Sequence, residues 1–442
     1  QSDEYPGFGG IVNDLAKVDF SNGPMVYVGE EISYSEIVTY WKGKSMREAF
    51  VDQEVKGEQL QKLLRKKYEL IQKHLQALVG ERELFNFMKQ FKQSHLFMRP
   101  DFEELEREFN ARFHVNLREI LNYYYEGKEL PALFIRDLKV ELYEEDEETK
   151  NIGSCKIYNP TSVPAVVTLS VATYSMGDNE NGSGLRNYLI PGHSCKEIRA
   201  DLGMRDVFAL EMNLSQNLPG ENVLEWTSSK DLSKTKDGKT GIWTVDSAIF
   251  TRKVPGMIVN AEDPGFVIHE KKRKGKLAAY FSTGENGKKY SYVYDHEHWT
   301  LTMDSHCYGD IVKSAYYKIA GTGKSKVEWK VNVENPGKYE VFVYVPDVEA
   351  TSARKVFIGG ARLFYQVTSA DDVTDVEVLL DNEEPGWISL GKYYFDRGEY
   401  SVFLSDRGGD SLTWENDGTY AWERDAVQLI FANAVKWIPV SE

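Results

Sequence analysis

Six apolar positions, Leu60, Leu64, Tyr68, Ile71, Leu75 and Leu78, recur at spacings of three and four. That period predicts a long helix with one apolar stripe, the other faces carrying Lys, Gln and Glu. The stripe ends near Gly80, too few heptads for a coiled coil, so it is expected to face a core. Two further helices announce their starts. Asp101 and Asn116 each stand three residues before a glutamate, Glu104 and Glu119, which is capping-box spacing. Phe102, Leu105 and Phe109 form the inner face of the first, and Leu117, Ile120, Leu121 and Tyr124 that of the second. Gly127 supplies a stop. Residues 1–130 are expected to be a mostly helical unit.

Beyond Pro131 the pattern shortens to strands. Segments at 133–146, 154–160, 165–175, 186–192, 207–214 and 241–250 are separated by Gly, Pro, Asn and Asp clusters. Over 131–256 they predict an immunoglobulin-like β-sandwich, without the disulfide and tryptophan spacing of true immunoglobulin domains. Residues 257–284 include the basic, glycine-containing run KKRKGK and are expected to be a linker. From 285 to 442 the chain is strand-rich again. Val327, Trp329, Val331 and Val333 alternate with polar neighbours, as do Tyr339, Val341, Val343 and Val345. Asn335-Pro336-Gly337-Lys338 between them suits a type II turn, so these strands are expected to pair as a hairpin. Trp329 and Trp387 lie inside strand blocks and are expected in the core. The fold class is multidomain α plus all-β: helical unit, immunoglobulin-like sandwich, C-terminal jelly-roll-like sandwich.

Three blocks carry a resemblance. GTGKSKVEWKVNVENPGKYEVFVYVP, GWISLGKYYFDRGEYSVFLSD and ERDAVQLIF, within about 299–437, resemble the golvesin-like domain found at the C-termini of bacterial secreted proteins, xanthan lyases included. The resemblance implies a β-fold, carbohydrate binding and an extracytoplasmic setting, whether periplasm, cell surface or medium. The series DFEELEREFNARFHVNLREILNYYYEGKELPALFIRDLKVE, with the later VNAEDPGFVI, resembles the helical tail and β-domain of bacterial gluzincin-type aminopeptidases. It implies a non-catalytic part of a larger envelope peptidase. The HExxH helix that defines the peptidase is absent from the 442 residues, so no zinc site transfers.

Composition narrows the function further. A hydrophobic fraction of 41% and an aromatic fraction of 13% belong to a folded chain. The net charge of −16 disfavours nucleic acid or an anionic membrane as partner. No apolar run approaches a transmembrane span, and the first residues show no secretory leader pattern. Cys155, Cys195 and Cys307 contain no CxxC, which leaves at most a Cys155–Cys195 bridge. Nucleophile-elbow, phosphate-loop and EF-hand motifs are all missing.

Two stretches retain candidate chemistry. His296 and His298 would share one face of a strand, with His306 and Cys307 close behind, a spacing that permits metal ligation. The stretch 406–425 mixes Asp410 and Asp417 with Trp414, Tyr420 and Trp422. Sugar rings stack on aromatic faces while carboxylates accept hydroxyl protons, and clustered carboxylates also suit Ca²⁺. The expectation is a non-catalytic accessory region binding a polysaccharide or cell-surface glycan, within reach of other domains of a larger protein. Two alternatives stand beside it: part of a polysaccharide lyase or aminopeptidase-like hydrolase, and a structural or protein-docking spacer.

Overall fold

The computed structural model describes all residues except 1–3, 16–33, 54, 56, 97, 99, 146–147, 174–184, 205–206, 219–222, 228–231, 251–255, 271–296, 305, 310, 348–361, 381–383, 409–427 and 441–442. The chain forms two compact units, Gln1–Thr251 and Arg252–Glu442.

Helices open the first unit: α1 (Phe8–Leu15), α2 (Tyr34–Trp41), α3 (Met46–Phe50), α4 (Glu58–Val79), α5 (Glu81–Ser94), α6 (Phe102–Phe113) and α7 (Leu117–Glu126). Both expected N-caps form, Asp101 accepting from Glu104 N at 2.8 Å and Asn116 from Glu119 N at 3.2 Å. The complete reciprocal box belongs to Ser45 and Glu48 at the head of α3. On α4 the buried face is Leu63, Leu64, Lys67, Ile71, His74 and Leu75, while Leu78 is exposed. The stripe is therefore rotated from the expected one and takes two basic residues inward.

His74 lies against Tyr124, its Nδ1 3.0 Å from the phenol oxygen, and burial lowers its pKa from 6.5 to about 4. The folded state then binds fewer protons than the unfolded chain between these two values. The stability contribution is complete above pH 6.5 and is lost as pH falls toward 4, about 3 kcal/mol in all. Unfolding midpoints across that window should fall less steeply in His74→Gln than in the native chain.

Among the described residues, nine strands follow: β1 (Phe134–Glu145), β2 (Glu148–Asn159), β3 (Ala165–Thr173), β4 (Arg186–Ile190), β5 (Ser194–Gly203), β6 (Val207–Leu214), β7 (Val223–Thr227), β8 (Ser233–Thr235) and β9 (Gly241–Thr244). They form sheets of order β8-β1-β2-β5-β9 and β4-β3-β6-β7, with Ile157, Val167, Ile190, Ile198, Leu210 and Met212 buried in their shared core. All three cysteines are free, buried thiols. Cys155 sits opposite Ile198 whereas Cys195 sits opposite Tyr158, so the ladder sets the two thiols out of register.

The second unit holds β10 (Met257–Asn260), β11 (Phe266–His269), β12 (Thr300–Met303), β13 (Ser314–Ile319), β14 (Lys326–Val333), β15 (Gly337–Val345), β16 (Arg362–Thr368), β17 (Val373–Leu379), β18 (Gly386–Phe395), β19 (Gly398–Ser405), β20 (Leu429–Ala432) and β21 (Ala434–Pro439). A four-stranded sheet, β10-β21-β15-β18, and a five-stranded sheet, β11-β14-β19-β16-β17, share one core that includes the fully buried Trp329 and Trp437. A smaller sheet, β12-β13-β20, packs Cys307, Tyr317 and Phe431.

Two expectations are corrected here. The strands on either side of Asn335-Pro336 do not pair: β14 bonds to β11 and β19, and β15 to β18 and β21. Gly337 takes no positive φ and already pairs with Phe395, so this short link is a corner between sheets. Residues 257–269, expected within a linker, supply one strand to each large sheet because Val259, Phe266 and Ile268 contribute to the core.

Candidate functional site

The alternation along β15 sends Tyr339, Val341, Val343 and Val345 into the core. Phe342 and Tyr344 must then stand on the outer face of the four-stranded sheet. Trp387 lies directly across from Tyr344 on β18, the ring centroids 5.2 Å apart in an edge-to-face arrangement. A bulge sets this phase. Val341 pairs with Gly391 and Phe342 with Ser389, leaving Leu390 as the extra residue. Leu390 stays buried, and Trp387 and Ser389 keep the outer face. Gly391 has φ +122, a conformation that favours glycine.

Tyr308 completes the cluster from the segment after β12. Its backbone is clamped by buried Asn433, which accepts from Tyr308 N at 2.6 Å and donates to Tyr308 O at 3.1 Å. The Tyr308 ring lies 4.8 Å from Trp387 and 5.5 Å from Tyr344. Lys436, opposite Phe342 on β21, holds its ammonium 4.2 Å from the Trp387 ring and 4.6 Å from Phe342. Beside these rings, Ser389 Oγ donates to Glu340 Oε1 at 2.8 Å, with Lys392 3.9 Å from the other oxygen. Burial, and secondarily the nearby Cys307 thiol, raises the Tyr344 phenol, which stays a neutral donor. All four rings and Lys436 are half-buried.

A second polar arrangement sits where two chain segments are rooted. His298, half-exposed, places Nδ1 3.2 Å from Glu270 Oε1. Glu270 lies 3.8 Å from the Lys318 ammonium and accepts from Ser325 Oγ at 3.4 Å. Lys318 donates to Asp406 Oδ2 at 2.6 Å, and both are buried. Ser325 N donates to Asp406 Oδ1 at 3.2 Å, and Trp299 Nε1 to Ser325 Oγ at 2.9 Å. Asp406 thus anchors the last residues before 409–427. Gln428, just after that stretch, accepts from Ala320 N at 2.9 Å through its carbonyl.

The structure places the expected site residues unevenly. Asp410, Trp414, Asp417, Tyr420, Trp422 and His296 lie outside the described residues. His298 faces Glu270, and His306 pairs through Nδ1 with Asp304 at 2.7 Å, so the two imidazoles serve different partners. Cys307 is buried, its thiol raised well above the ordinary range by desolvation. Among the described residues, the metal-compatible trio is elsewhere: His95, Glu104 and Glu108, with ligand atoms within 4.8 Å of one another. There His95 Nδ1 meets the Phe91 carbonyl at 2.8 Å and Nε2 meets Glu104 at 3.2 Å, the geometry of an ordinary imidazole–carboxylate pair. Trp329 is core as expected, but Trp387 is not. Parity carried the signal, since Trp387 shares its phase with Ser389 while Ile388 and Leu390 take the other.

Residues 286–413 match the Golvesin C-terminal domain model. The second unit carries a golvesin C-terminal domain. Phe342, Tyr344, Trp387 and Tyr308 all fall inside the matched range, and Lys436 follows it in the same golvesin unit. Among solved structures, a xanthan lyase from Paenibacillus is similar at 14% identity and a TM-score of 0.26, over 70% of this chain and 26% of the lyase. The chain thus spans about a quarter of the lyase's length. Tandem CBM51 modules of a family 98 glycoside hydrolase from Streptococcus pneumoniae are similar at 10% identity and a TM-score of 0.19, over 72% of this chain and 91% of theirs. At these scores neither likeness bears on function. No curated protein matches the chain at a significant level. No helix among the described residues is long and apolar enough to cross a membrane.

Proposed function

We propose that the golvesin domain binds a glycan on the outer face of its four-stranded sheet, as a non-catalytic accessory module of a larger extracytoplasmic protein. The carrying observation is the cluster of four half-buried rings, Tyr308, Phe342, Tyr344 and Trp387, on a face whose opposite side forms the core. Large aromatic surface left on one face of a sheet marks a contact surface. Sugar C–H groups stack on such rings, and Glu340, Ser389, Lys392 and Lys436 around them offer acceptors and donors for hydroxyls. The golvesin family match supports this reading. The acidic-aromatic stretch holding Asp410, Trp414, Asp417, Tyr420 and Trp422, with Ca²⁺, is a second proposed contact, rooted at Asp406 and Gln428.

The test is calorimetric titration of the whole chain with a panel of polysaccharides, with and without Ca²⁺. Trp387→Ala is expected to weaken saturable binding by about tenfold to a hundredfold, the equivalent of losing one buried aromatic contact. Trp414→Ala and Trp422→Ala report on the 406–425 stretch in the same assay. Binding that survives Trp387→Ala unchanged would remove the sheet face from the reading. Absence of saturable binding across the panel would favour a protein-docking spacer instead.

A further inference from the structure

The first unit contains a cavity of about 20 Å³, room for a single water-sized species. Its wall combines α4, α7, the passage into β1 and the segment after β6. Most hydrogen-bonding groups on that wall are already engaged. Tyr123 donates to the Pro164 carbonyl and Ser215 Oγ to the Val166 carbonyl. Tyr124 bonds to His74 and to the Leu70 carbonyl. The carboxylate of Glu129 is exposed and accepts from Ser162 Oγ at 2.7 Å. Both tyrosines are raised by burial and stay neutral, and His74 behind Tyr124 is neutral too.

Two groups remain. Gln216 is 4% exposed and neither its Oε1 nor its Nε2 has a partner. Lys67 is 7% exposed and pairs with no carboxylate among the described residues; its ammonium lies 4.9 Å from the ring of buried Trp41. A buried amide without a partner and a buried cation without a counter-charge are both costly. A neutral water would satisfy the amide yet leave the protonated lysine uncompensated, whereas a small anion accepts from both the Lys67 ammonium and Gln216 Nε2.

We propose that this cavity is a site for a monovalent inorganic anion of chloride size, held between the Lys67 ammonium and the Gln216 amide. Burial alone lowers Lys67 to about 7, so the cation the site needs is half-formed at neutral pH and complete in mild acid. Anion binding and Lys67 protonation therefore support each other, and occupancy weakens as pH rises.

The experiment is thermal unfolding of the whole chain in sodium chloride, bromide and gluconate at equal ionic strength. At pH 6.5 the Tm of the native chain should be about 3 °C higher in chloride or bromide than in gluconate. The difference should shrink toward zero by pH 9.5. Lys67→Met, which removes the cation and keeps the volume, should melt alike in all three salts, and Gln216→Leu should show a reduced difference. Equal midpoints for the native chain in the three salts would mean the cavity takes water alone, and the proposal fails. A halide effect that persists in Lys67→Met would also overturn it, by placing the ion elsewhere.

Discussion

Asp406→Ala is expected to lower the stability of the golvesin unit by about 3–5 kcal/mol, the loss typical of a buried ion pair stripped of one partner. Lys318 and Asp406 are 5% and 4% exposed and meet at 2.6 Å. Removing the carboxylate leaves the Lys318 ammonium buried, with Glu270 at 3.8 Å the one carboxylate left to face it among the described residues, and takes the acceptor from Ser325 N. The lost term is desolvation without compensation, so the remedy is specific. Lys318→Met combined with Asp406→Leu should recover most of the loss, since replacing both charges by apolar groups of similar size removes the unpaired ion. Urea unfolding of the native chain, Lys318→Met, Asp406→Leu and the double variant measures the coupling directly. Additive single losses, or an Asp406→Ala midpoint matching the native one, would refute the pair's role. Because Asp406 precedes 409–427, glycan titration of the double variant also shows whether the pair matters to binding or only to folding.

Lys67→Met is expected to act in the opposite direction. In gluconate the variant should be more stable than the native chain at pH 7, and the gap should close as pH rises. Burial lowers Lys67 from 10.5 to about 7. Between those values the unfolded chain holds a proton that the folded chain has released, so native stability increases with pH across the window. The total gain is on the order of 4 kcal/mol, and below pH 7 the penalty is fully present. Methionine fills the space without titrating, which flattens the profile. Denaturation midpoints at several pH values between 7 and 9.5 test this, and parallel curves for the two chains would rule it out.

Both strong effects arise from residues that pattern reading assigns poorly. Lys67 and His74 are polar letters in a helical period, so the apolar spacing placed them on the solvent side; only packing shows that the α4 face turns them inward. Lys318 and Asp406 are far apart in sequence and meet only because β13 and the end of β19 are neighbours in space. Alternation was informative about burial and uninformative about partners. Val327–Val333 and Tyr339–Val345 do bury the expected side chains, yet they belong to different sheets, because a period of two defines a face and leaves the edge-to-edge neighbour open. The same periodicity held the aromatic platform in plain view. Phe342 and Tyr344 fill the parity left over by Val341 and Val343. Helix starts were legible because Asp101 and Asn116 act through local hydrogen bonds that need no tertiary partner.

The pairing of β10 with β21 bears on how the golvesin unit would respond to a pulling force. Met257 faces Trp437 and Asn260 faces Ala434, so the two strands run in opposite senses and their outer ends lie side by side at one sheet edge. Tension entering before Met257 and leaving after Pro439 would load the ladder's hydrogen bonds one after another, as in opening a zipper, instead of all together in shear. The first rupture would release only a four-residue strand, β10. The strands β15, β18 and β21 that bear the aromatic face would still be bonded to one another. A tethered chain could therefore lengthen under load before its platform came apart.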